Sequence, residues 1–122
     1  MLIRVCTAKI HRATVTEADL NYVGSVTIDE ALLDASGIRQ HQMVNINNIA
    51  NGVFWQTYAL RGERGSGAIC LNGPPARHFQ PGDKVIILGE AYVEPAEAEN
   101  VKLTVVIVED DENKVFRTEV NG

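Results

Sequence analysis

The sequence has little that would tie it to metal, membrane or nucleic acid. It contains two cysteines, Cys6 and Cys70, each alone in an apolar, strand-like run ("IRVCTAKI", "GAICLNG"). Thiols in such settings read as small buried hydrophobes rather than as a disulfide. The three histidines, His11, His41 and His78, have no ligand spacing with one another or with the cysteines, so no metal site is expected. No apolar run approaches the roughly 20 residues needed to span a bilayer. The N-terminal stretch "MLIRVCTAKIHR" lacks the charged region and long apolar block of a signal peptide. Lys and Arg number 11 against 16 Asp and Glu, a net charge of -5. That excess of acid argues against nucleic-acid binding, which needs a basic face. It also leaves any anionic ligand to a few local cations working against the overall field. The Gly-rich "GERGSG" (62–67) lacks the Lys-Ser/Thr ending of a phosphate-binding loop. The expectation is a reduced, cytoplasmic, soluble protein with no nucleic-acid or membrane partner.

What the chain does have is a globular composition and many short strand signals. Its 122 residues, 45% hydrophobic and 22% charged, suit a single domain over 1–122. Residues 2–11 read as a strand with Thr7, Lys9 and His11 on one face. "TEADL" (16–20) reads as a helical turn capped by Thr16, with Asp19 three residues on. "DEALLDASG" (29–37) reads as a helix with Asp29 as N-cap, Leu32 and Leu33 inward, and Gly37 as the stop. "MVNINNIA" and "VFWQTYAL" read as strands joined by a two-residue Asn51-Gly52 hairpin. "RGERGSG" reads as a flexible loop, "AICL" as a short strand ended by "NGPP", and "QPGD" as a turn. "KVIILG" (84–89) reads as a strand and "EPAEAEN" as one helical turn starting at Pro95. "VKLTVVIV" (101–108) reads as the longest strand, with "EDDENKVFRTEVNG" after it as a mobile tail. Together these predict a mainly β barrel or sandwich with a few short helices.

"NYVGSVTID" (21–29) interrupts that pattern. Gly24-Ser25 lies between two runs of β-favouring residues, where a glycine marks a bend or a close backbone approach. A serine hydroxyl can attack the preceding carbonyl if the backbone is strained and an acid or base is near. Glycine before it reaches strained angles without a side-chain clash. The ester so formed can eliminate to dehydroalanine, which hydrolyses to a pyruvoyl group and ammonia. The chain is then cut into 1–24 and 25–122. The second Gly-Ser pair, Gly65-Ser66, sits in a polar loop with nothing to hold strain. An ordinary turn remains the competing reading of the dipeptide alone.

"KIHRATVTEADLNYVGSVTID" (9–29) resembles the signature of the pyruvoyl-dependent aspartate 1-decarboxylase family. The similarity continues through "NGVFWQTYAL", "ERGSGAICLNG" and "GDKVIIL". The resemblance implies a double-psi β-barrel, a homotetramer, and self-cleavage with Ser25 as pyruvoyl precursor. The pyruvoyl ketone would take up the substrate amine and accept electrons as carbon dioxide leaves, with no metal and no added cofactor. By position, Lys9, His11, Tyr22, Thr57, Tyr58 and Asn72 match family functional residues. Thr57 is expected to support processing and Tyr58 to reprotonate the α-carbon. Asn72 and the backbone around Gly73 are expected to orient the pyruvoyl group. Lys9 is expected to bind the substrate's side-chain carboxylate. The implied reaction is L-aspartate to β-alanine, in the pantothenate pathway.

Three changes, at four positions, depart from the family pattern. An arginine usual at position 54 is Phe54 here, the small residues after Asn72-Gly73 are Pro74-Pro75, and position 47 is Asn47. Phe54, Gln56 and Tyr58 share a face on a regular strand, so Phe54 is expected to line the same pocket as Tyr58. A neighbouring cation such as Arg12 or Arg77 is expected to take over if aspartate remains the substrate. The alternatives are a less anionic amino-acid substrate, or an unprocessed, non-catalytic double-psi barrel acting as a binding module. Assistance from a separate maturation protein stays open.

Overall fold

The computed structural model describes residues 1–21 and 24–122. Among the described residues, nine strands form one mixed sheet: β1 (Ile3–Thr14), β2 (Glu17–Asp19), β3 (Val26–Asp29), β4 (Met43–Asn48), β5 (Phe54–Gly62), β6 (Ile69–Asn72), β7 (Lys84–Val93), β8 (Leu103–Val108) and β9 (Phe116–Asn121). The helices are short, α1 (Glu30–Ser36) and α2 (Pro95–Ala98), with a 3-10 turn at Pro74–Arg77. The mainly β class with few short helices agrees with the double-psi barrel expected from the sequence. The strand order is β2-β6-β3-β5-β4-β7-β1-β8-β9. Pairs β1–β8, β2–β6 and β3–β5 are parallel, and the others antiparallel. No described helix is long and apolar enough to cross a membrane.

Alternation along the strands sends one face into the core. Ile10, Ile87 and Ile46 lie side by side on β1, β7 and β4 and are fully buried. Val26, Ile28, Ala59, Ile69 and Leu71 continue that layer through β3, β5 and β6. Leu32 and Leu33 of α1 and Phe79 close it. Each fully buried side chain of the Leu, Ile or Phe kind contributes roughly 1.5–3 kcal/mol. Helix α1 begins and ends as its sequence indicates. Asp29 accepts from the Ala31 N–H at 2.8 Å, and Gly37 at φ +83 donates to the Leu33 carbonyl at 2.9 Å.

Several local expectations are corrected. "TEADL" is a strand and not a helical turn. Thr16 Oγ1 accepts from the Ile69 N–H at 2.9 Å, so the candidate cap is used to dock β2 against β6. Asn51-Gly52 is part of a longer connection. Asn48 and Asn51 side chains accept from Ala50 and Val53 N–H, closing two further small turns between β4 and β5. The loop after β5 is anchored, because the Asp29 carboxylate accepts from Gly65 and Gly67 N–H at 3.1 and 2.8 Å. The longest strand is β1, 12 residues, while β8 has 6. The expected tail is ordered: its acidic start is a turn, and Phe116–Asn121 is β9, paired along β8. Asp110 accepts from the backbone of Val115 and Lys114, which holds its carboxyl below the usual carboxylate value. Buried Asn113 then bonds Thr14 and Gly67 backbone atoms at 2.7–2.9 Å and ties the turn to the barrel. Both cysteines are free and half-buried.

Candidate active site

The segment before β3 carries the strain that its sequence suggested. Gly24 has φ +33 and Ser25 has φ +78, a left-handed conformation that a serine rarely adopts. Ser25 is 2% exposed, and its Oγ is buried with no hydrogen-bond partner among the described residues. A buried hydroxyl without a partner is costly, and a role in chemistry is one reason for a protein to keep it. The Ser25 carbonyl is fixed by the Asn72 N–H at 3.2 Å. Register does the rest. Val26 lies opposite Ala59, so extending the pairing by one residue sets Ser25 beside Tyr58, with Thr57 next along β5.

Thr57 faces inward and is buried, whereas Tyr58 faces outward and is 37% exposed. His41, at φ +70, sets its ring edge-on to Tyr58 with centroids 6.4 Å apart. The sequence offered no sign of that contact. Asn72 is buried. Gly73 has φ +82 and ψ -149, a combination open to glycine, and its N–H is taken by the Asp19 carbonyl at 2.7 Å. Asn72 is therefore the better placed of the two to hold a group at residue 25. Pro74 and Pro75 lack N–H donors and start the 3-10 turn that follows. Gly24, Ser25, Thr57, Tyr58, Asn72 and Gly73 thus gather where β3, β5 and β6 meet. Tyr22 lies outside the described residues.

Lys9, His11 and Phe54 do not join that group within one chain. Cross-strand pairing aligns Lys9, Leu88, Asn45 and Gln56 in one row, and His11, Ile86, Asn47 and Phe54 in the next. Both rows lie on the outer face of β1, β7, β4 and β5. Lys9 and Gln56 are three strands apart, roughly 14 Å across a sheet. Tyr58 is on the same outer face, as the period of β5 requires. Phe54 is 58% exposed and lines a cavity of about 460 Å³ with Arg4, Cys6, Asn45, Gln56, Leu88 and Glu90. Tyr58 does not line that cavity, so the expectation of one shared pocket is corrected: one face carries both residues four positions apart.

Neither Arg12 nor Arg77 lines the cavity; the cation there is Arg4. Arg4 was missed because of a bulge. The register of β1 shifts between Cys6 and Ala8, so Arg4 and Cys6 emerge on the face of Lys9 and His11 despite their opposite parity. Glu90 and Asn45 were missed for a different reason: their links to Arg4 and to Gln56 are purely cross-strand.

His11 Nδ1 is buried with no partner among the described residues, and its pKa is lowered by burial first and then by Lys9 and Arg12. The folded chain therefore takes up the His11 proton less readily than the unfolded chain. Stability is fully present above the ordinary value of 6.5 and declines as pH falls below it. Urea midpoints at fixed protein concentration, from about pH 7.5 to about pH 5, should fall less in His11→Gln than in the parent. Equal slopes in the two proteins would remove His11 from the account.

The family model described as aspartate decarboxylase matches residues 1–116. A protein of Lactiplantibacillus plantarum named aspartate 1-decarboxylase is 55% identical over 117 residues, 96% of this chain and 89% of the relative. One of Caldicellulosiruptor bescii with the same name is 54% identical, covering 96% of this chain and 91% of the relative. Another, of Parabacteroides distasonis, is 50% identical over 95% of this chain and all of the relative.

Proposed function

The chain belongs to the aspartate decarboxylase family, a family of lyases, and we propose that it removes the α-carboxyl group of L-aspartate to give β-alanine, using a pyruvoyl group made from its own Ser25. The observation that carries this reading is the backbone at the cut site: φ +33 at Gly24, φ +78 at Ser25, and a buried hydroxyl with no partner among the described residues. These residues fit the group. Ser25 Oγ bonds to the Gly24 carbonyl carbon, and the bond from that carbon to the Ser25 nitrogen breaks, leaving an ester. Elimination frees 1–24 with a carboxylate at Gly24 and leaves dehydroalanine at 25. Water then replaces the nitrogen, which departs as ammonia, and a ketone remains. Thr57, one residue along β5 from the level of Ser25, supports the first step.

When formed, the ketone supplies an electron sink for decarboxylation. Asn72 holds residue 25 in place through the Ser25 carbonyl. Tyr58 returns a proton to the carbon that carbon dioxide leaves. Lys9 and His11 stand on the outer face, which a substrate anchored at residue 25 reaches when copies of the chain pack with that face against the β3–β6 end of a neighbour. A homotetramer supplies such an arrangement. The product is β-alanine for pantothenate synthesis.

The test is turnover without added cofactor or metal, followed as carbon dioxide and amine product from L-aspartate, L-glutamate and a set of uncharged amino acids. L-Aspartate should be the best substrate. Release of carbon dioxide mainly from an uncharged amino acid, as apolar Phe54 on its own would suggest, would overturn the assignment of substrate. No release from any of them would overturn the enzyme reading.

A further inference from the structure

We propose that Arg4 is the specificity-determining cation of this enzyme, receiving the side-chain carboxylate of the substrate in the cavity beside Phe54. The inference rests on the reading that L-aspartate is the substrate. Aspartate bears a second carboxylate, and a partly enclosed site recognises one through charge-assisted hydrogen bonds. Phe54 offers none. Among the described residues, the cations on this outer face are Arg4, Lys9 and His11 when protonated, and Arg4 alone lines the cavity.

Its guanidinium is braced from behind. Arg4 Nε lies 2.7 Å from Glu90 Oε2. Asn45 Nδ2 donates to Glu90 Oε1, and Gln56 Nε2 donates to Asn45 Oδ1 at 3.0 Å. The links run Gln56, Asn45, Glu90, Arg4, across four neighbouring strands in the order β5, β4, β7, β1. That chain of contacts fixes the base of the guanidinium. Its two terminal nitrogens have no hydrogen-bond partner among the described residues, and the side chain is 63% exposed. A planar pair of donors held from the far side is the geometry that takes a carboxylate bidentately. A surface ion pair alone contributes little to stability, so the ladder is better explained by what it holds out than by the fold. Glu90 offsets one positive charge. Lys9, paired with the cavity residue Leu88, supplies another on the same face.

The experiment compares steady-state kinetics of self-cleaved parent, Arg4→Gln, Arg4→Lys and Arg4→Gln/Phe54→Arg on L-aspartate, with cleavage of each checked by intact mass. Arg4→Gln should raise KM by roughly ten- to a hundredfold with kcat changed far less, while cleavage proceeds as in the parent. Arg4→Lys should fall between the two. The double variant should recover much of the parent KM, because a guanidinium returns to the same cavity from β5. An Arg4→Gln KM within about twofold of an active parent's overturns the role of Arg4 and leaves the decarboxylase standing. A fall in kcat with KM unchanged overturns it equally. A parent inactive on L-aspartate overturns the substrate reading, and this inference with it.

Discussion

Ser25→Ala is expected to persist as one uncut chain of 13.3 kDa with no decarboxylase activity. Alanine keeps the size of the site but has no oxygen to attack the Gly24 carbonyl. It therefore blocks both the cut and the formation of the ketone. The backbone remains costly at this position, since φ +78 is as unfavourable for alanine as for serine. The uncut variant should still fold, because the core layer of Val26, Ile28, Ala59 and Leu71 is untouched. Intact mass and carbon dioxide release, run on the same preparation, check both halves. Residual turnover by uncut Ser25→Ala would mean that residue 25 is not the source of the electron sink.

The second large effect is expected at Tyr58. Tyr58→Phe should cleave normally yet lose roughly 10²–10⁴ in kcat, the range that a positioned proton donor contributes. The ring and its packing are kept, so KM should change little. Tyr58 is suited to the role by position: it is outward-facing, level with Ser25, and steadied by the edge of the His41 ring. A kcat within about threefold of the parent would assign the proton to another group. Because Ser25→Ala stops processing and Tyr58→Phe does not, the two variants separate making the prosthetic group from using it.

The sequence carried the local chemistry well and the cross-strand chemistry poorly. Asp29 was legible as a cap because the N-cap bond spans only two residues, and Gly37 because a helix stop needs a left-handed residue. The strain at Gly24-Ser25 was legible because a flexible pair stood between two stiff β-favouring runs. Thr16 misled, since the hydroxyl that would cap a helix serves equally to bond a strand 53 positions away. The acidic tail misled in a similar way. Its charges suggested a solvated segment, but the Asp110 carboxylate and the Asn113 amide bond backbone groups that shape a turn. Arg4 was hidden by one bulged residue, which reverses the parity of everything before it on β1. A pattern of alternation cannot reveal such an insertion, because its cause is the pairing with β7 and not the composition of β1.

Phe54 gains a different meaning from that geometry. Taken alone, it removes a donor and suggests a less anionic substrate. In the cavity it faces a guanidinium that Glu90, Asn45 and Gln56 hold in place. Phe54 of β5 and Arg4 of β1 thus line one cavity on one face of the sheet.

Everything in this account depends on the bond between Gly24 and Ser25. Denaturing intact-mass measurement of the purified parent tests it most directly. The account predicts two species, 1–24 ending in a free carboxylate and 25–122 beginning with a ketone that reacts with a carbonyl reagent. Their masses should sum to that of the chain plus one water less one ammonia. A single 122-residue species that stays uncut after prolonged heating, and is inert to the reagent, would contradict it.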